Sequence, residues 1–80
     1  MLTKTLRPAN IQESRCIRAL LRKHNIRWST LYIDSGNWVI GFSKHGAQPD
    51  LDELRACPDW QFVGSSTFGG TLLVWVRVSE

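Results

Sequence analysis

No apolar run in this chain approaches the roughly 18 residues needed to cross a membrane, so no transmembrane helix is expected. The opening stretch, MLTKTLRPAN, lacks the apolar core of a secretory leader, and the cytoplasm is the expected compartment. Cysteine is scarce. Cys16 and Cys57 are too few for a disulfide framework, and in a reducing compartment no bridge between them is expected. Cys16, His24, His45 and Cys57 offer the right atoms for zinc, but no C-x-x-C pair and no closely spaced His pair is present. No metal and no cofactor is therefore expected.

Recognisable chemistry is also missing. The glycine-rich GSSTFGG lacks the lysine and the following helix of a phosphate loop. Asp50, Asp52 and Glu53 stand where acids cap a helix and favour its dipole, which explains them without catalysis. His45, beside Gly46 in a loop, is the one base expected to be exposed. Eighty residues leave little material for a water-excluding pocket. An enzyme is not expected, and no catalytic residue is assigned.

What the chain does have is core material: 42% apolar residues, four of them tryptophan, enough to exclude a disordered composition and to support one domain over residues 1–80. The net charge of +3 hides an asymmetry. Residues 1–33 carry seven Lys or Arg against Glu13 alone, or +6. Residues 34–80 carry three against six acids, or −3.

The spacing predicts a helix from Asn10, which suits an N-cap, with Glu13 placed to complete a capping box. Ile17, Leu20, Leu21 and His24 recur as one buried stripe, widened by Cys16, and Asn25 marks the stop. IRWSTLYI and WVIGFS, joined by DSGN, read as a hairpin with Ile26, Trp28, Thr30 and Tyr32 on one face. DLDELRAC reads as a second helix ended by Pro58. WQFVG is a strand, SSTFGG a loop, and TLLVWVRV the longest strand. An edge strand is also possible on sequence grounds over residues 2–6. The order predicts an α+β fold, a two-layer α-β-β-α-β-β sandwich with two helices on one face of a four-stranded, mainly antiparallel sheet. Two αββ-like halves, 10–43 and 49–78, share a Leu-Arg, connector, Trp pattern that either duplication or a common packing solution would produce.

Two candidate surfaces follow. On the first helix Arg15, Arg18 and Arg22 fall at i, i+3, i+7 opposite the apolar stripe, with Arg27, Lys4 and Arg7 able to extend the ridge. No acid after Glu13 is spaced to neutralise them, and guanidinium forks suit phosphate or carboxylate. On the last strand, Leu72, Val74, Val76 and Val78 would meet the helices, leaving Leu73 and Trp75 on the open face unless the N-terminal segment covers them. Phe68, in the presumed loop, either folds onto the core or makes contacts.

The expected contact residues are therefore Arg15, Arg18, Arg22, Arg27, Trp75, Leu73 and Phe68. The expected function is a small non-enzymatic protein that docks on a protein or nucleoprotein partner with an acidic surface and blocks or modulates it. Inhibitors of host defence complexes carried by phage and mobile elements, anti-CRISPR proteins included, share this size and lack of motifs; that is analogy, and no residue carries a family resemblance. The alternative is direct nucleic-acid binding through the Arg helix and sheet aromatics. A homodimer through the open sheet face is compatible with either, and no membrane role is expected.

Overall fold

A computed structural model describes residues 6–46 and 48–78. It is a small α+β protein with two helices and one open, antiparallel sheet of five strands. In chain order these are β1 (Arg7–Pro8), α1 (Arg15–Lys23), β2 (Thr30–Asp34), β3 (Asn37–Phe42), α2 (Leu51–Ala56), β4 (Trp60–Phe68) and β5 (Thr71–Val78). The sheet order is β1-β2-β3-β5-β4. The fifth strand is the short β1, where four strands were expected. Residues 2–5 of the anticipated edge strand lie outside the described residues. Pro8, two residues beyond the expected edge strand, is itself paired with Tyr32. A proline is tolerated there because β1 is an edge with only one neighbour.

The first helix starts later than its cap residue suggests. Asn10 and Glu13 do exchange bonds: the Glu13 amide donates to Asn10 Oδ1 at 2.7 Å and the Asn10 amide to Glu13 Oε1 at 3.3 Å. This reciprocal pair closes a separate turn over residues 11–14, and α1 begins only at Arg15. Ile17 and Leu21 are fully buried. Cys16, expected to widen their stripe, is exposed, because one residue before Ile17 lies about 100° round the helix.

The C-terminal end of α1 is a complete Schellman turn. Asn25 takes a left-handed φ of 58°. Its amide donates to the Arg22 carbonyl at 3.0 Å, and the Ile26 amide to the Leu21 carbonyl at 2.8 Å. This turn redirects the chain, so β2 starts at Thr30 and not at Ile26. Ile26 and Trp28 pack on the helix-side core, whereas Tyr32 packs on the opposite one. The shared face expected for Trp28 and Tyr32 is thus corrected. The β2–β3 hairpin turns through Ser35 and Gly36, both at positive φ (52° and 87°), the geometry that matches strand twist in a two-residue turn.

The expected loop SSTFGG is mostly strand. Ser65, Ser66, Thr67 and Phe68 pair with Val74, Leu73, Leu72 and Thr71, and only Gly69–Gly70 turn. Small polar residues suggest a loop by composition, but the apolar partner strand holds them in register. A bulge between Phe62 and Gly64 leaves Val63 exposed.

The core lies on both sides of the sheet. Ile17 and Leu21 of α1 and Leu54 of α2 share one buried cluster with Ile40, Phe42, Trp60, Val74 and Val76. Val39, Leu73 and Trp75 form a second cluster, with Leu6 and Tyr32 packed against it. Leu73 and Trp75, expected to be open contact residues, are only 7% and 5% exposed. Leu6 and Tyr32 cover them, and the Trp75 indole Nε1 donates to Asp34 Oδ2 at 2.9 Å. Trp75 is therefore an anchor of the fold. The apolar patch that motivated a homodimer through this face is filled from within the chain.

Arg7 is also removed from the proposed ridge. Its guanidinium donates to both Glu13 carboxylate oxygens, at 3.0 and 2.7 Å. Those bonds, helped by the Asn10 amide, lower the Glu13 pKa to about 2. A carboxyl whose folded pKa lies below its unfolded value stabilises the fold above the ordinary carboxylate range. That contribution is lost as pH falls through about 4 toward 2. The Tm advantage of the wild type over Glu13→Gln is expected to be small, because the pair is exposed, and to vanish as melts are taken from pH 5 down to 2. A constant difference across that range would contradict the assignment.

Candidate functional site

The Schellman turn that ends α1 also shapes the surface beside it. By sending the chain back under the helix, it carries Trp28 to the foot of α1 without bringing it into the sheet. Trp28 is half-buried and lines three adjoining depressions. The largest, about 680 Å3, is walled by Arg22, Asn25, Ile26 and Arg27. The second, about 300 Å3, has Arg18 on its rim with Ile11, Ser14 and Leu31. The third, about 200 Å3, lies between Arg27 and Phe42. The three depressions meet at Trp28, with Arg18, Arg22 and Arg27 among their walls, and are together called the Trp28 cleft.

The electrostatics are one-sided. None of Arg15, Arg18, Arg22 and Arg27 has an acidic partner within ion-pair distance among the described residues. The Arg22 guanidinium stands 5.9 Å from the Trp28 ring centroid, a cation–π arrangement that holds the side chain over the cleft. Ile11 is 73% exposed, the most exposed large apolar side chain of those described, and it sits on the cleft wall beside Arg18.

Three of the anticipated arginines, Arg18, Arg22 and Arg27, thus converge. Arg15 is exposed on α1 but lines none of the three depressions. Phe68 is 45% exposed at the tip of the β4–β5 hairpin and lines none of them either. Leu73 and Trp75 belong to the second core. Sequence reasoning missed Trp28 and Ile11. The available signal was Asn25, since a left-handed stop so close to Trp28 argues against a regular strand through it.

A second constellation joins the end of α1 to the segment after α2. His24 Nε2 lies 2.6 Å from Asp59 Oδ2 and 3.3 Å from Cys57 Sγ. Lys23 Nζ reaches the same carboxylate oxygen at 3.3 Å. The His24 contact, with Lys23 assisting, holds the Asp59 carboxyl below its usual pKa. The His24 ring meets Trp60 edge-on at 5.7 Å, which fixes its orientation. A nucleophile relay places thiol and carboxylate on opposite ring nitrogens. Here both meet Nε2, so the group is not arranged as a Cys-His-Asp triad.

Comparison with protein-family models, curated proteins and solved structures gave no match. Among the described residues, no helix is long and apolar enough to cross a membrane.

Proposed function

We propose that this is a small, non-enzymatic binding protein of the cytoplasm that docks an acidic protein surface in the Trp28 cleft. The observation that carries the reading is the row of Arg18, Arg22 and Arg27, without ion partners among the described residues, around a half-buried tryptophan. Arg and Trp are the residue types that dominate binding energy at protein interfaces. An exposed Ile11 on the same wall supplies the apolar contact that an acidic segment with a hydrophobic residue would seek. Two features favour protein over nucleic acid. The Arg22 guanidinium stands over one face of the Trp28 ring, so a base stacking there would have to displace it. The second half of the chain is also acidic, which works against a long phosphate track. An inhibitor would act by covering the partner's working face, with no chemistry of its own.

The test is capture from bacterial lysate on immobilised protein, with and without nuclease. A discrete protein or complex retained after nuclease is expected. If everything bound is released by nuclease, and binding falls steeply with salt, the same arginines hold phosphate and the protein-docking reading is wrong.

A further inference from the structure

We propose that His24, Cys57 and Asp59 form a binding site for a single zinc ion. Three ligand atoms of the types zinc prefers, an imidazole nitrogen, a thiol sulfur and a carboxylate oxygen, lie within 4.8 Å of one another. All three side chains are half-buried: the His24 side chain is 29% exposed and that of Asp59 25%. They are thus partly shielded from bulk water yet reachable by an ion.

Distances favour the fit. With Zn–N, Zn–O and Zn–S bonds of about 2.0–2.3 Å, a tetrahedral ion sets N···S near about 3.5 Å and N···O near about 3.4 Å. His24 and Cys57 already stand at 3.3 Å. Asp59 stands at 2.6 Å from Nε2, so its carboxylate has to retreat by less than about 1 Å. It sits in the short connection between α2 and β4, where such a movement breaks no helix or ladder bond.

The supporting groups are in place. His24 is the C-cap of α1, its backbone amide tied to Leu20 at 3.2 Å and its ring held by Trp60. Cys57 is the C-cap of α2, and Pro58 fixes the chain between it and Asp59. Lys23 is the one cationic side chain paired with a ligand atom among the described residues. It pairs with Asp59 through a side chain that is 64% exposed, so it can swing into water when a dication replaces it. Binding converts the Cys57 thiol to a thiolate ligand and releases its proton to solvent. Three protein ligands leave a fourth position for water or a partner's side chain. The spacing rules miss this site because they assume ligands paired close in sequence, whereas His24 and Cys57 meet across 33 residues.

Cobalt(II) is the probe, since thiolate coordination gives it a charge-transfer absorption and a tetrahedral visible spectrum. The wild type is expected to take up one cobalt per chain with that signature, and zinc to displace it. Cys57→Ser should lose the charge-transfer band, and Cys16→Ser, altered at the exposed cysteine of α1, should keep it. Zinc at ten times its dissociation constant should raise the wild-type Tm by roughly 5–10 °C. A second measurement needs no variant: zinc should protect Cys57 but not Cys16 from iodoacetamide, read by mass spectrometry. Absence of one-to-one cobalt uptake, uptake that survives Cys57→Ser, or equal alkylation of both cysteines in zinc would each overturn the site.

Discussion

Replacing Trp75 with alanine is expected to remove a large share of the protein's stability. The indole is 5% exposed and fills the second core with Val39 and Leu73, so its removal opens a cavity there. Truncations of buried aromatics cost about 3–5 kcal/mol. A domain of this length has about 4–12 kcal/mol in total. The loss also removes the hydrogen bond that Trp75 Nε1 donates to Asp34 Oδ2. Trp75→Phe separates the two effects: it keeps most of the apolar volume but removes the donor, at a cost of about 1–3 kcal/mol. Urea denaturation of the three proteins would show the order wild type, Trp75→Phe, Trp75→Ala. A Trp75→Ala protein as stable as wild type would mean that the residue is surface, as its position on β5 first suggests.

The second large effect concerns binding and should leave the protein folded. Arg18→Glu with Arg22→Glu reverses two of the three charges on the Trp28 cleft. Capture of a protein partner is expected to fall by at least about 100-fold, the effect of losing two anchors worth more than 1 kcal/mol each and adding repulsion. Neither arginine has an acidic partner among the described residues, so the cost to folding should be no more than about 1–2 kcal/mol, from the lost Arg22–Trp28 contact and an acid in the last turn of α1. Arg15→Glu is the internal control. Arg15 lies on the same helix but outside the cleft, and its reversal should matter far less. Equal losses from Arg15→Glu and the double variant would point to diffuse charge in place of a cleft.

The boundary between what could and could not be read from the residues is physical. Local signals were legible: the Asn10–Glu13 pair, the Asn25 stop, the DSGN turn and the Ile17–Leu21 stripe all act within a few residues, and all appear. Non-local outcomes were not. Whether Trp75 is open or covered depends on Leu6 arriving from the other end of the chain. SSTF became strand because β5 lies beside it, against its own polar composition. The arginine ridge was readable as a helical spacing, but its meeting with Trp28 depended on the direction in which the Asn25 turn sends the chain. His24 and Cys57 gave no hint of each other because their segments converge only in three dimensions.

The two rims of the sheet differ in a way that bears on how copies of this protein meet in concentrated solution. On one side β1 is two residues long and includes Pro8, which has no amide hydrogen to offer a neighbour. On the other, β4 runs nine residues with its outer backbone unmatched by any strand among those described. Among the described residues, strand-by-strand stacking of one copy on another therefore has one long rim to use. The kink at Val63 divides that rim, twisting the ribbon where a straight one would invite extension. Substitutions that straighten it would leave a flat nine-residue edge open to pairing with a second copy.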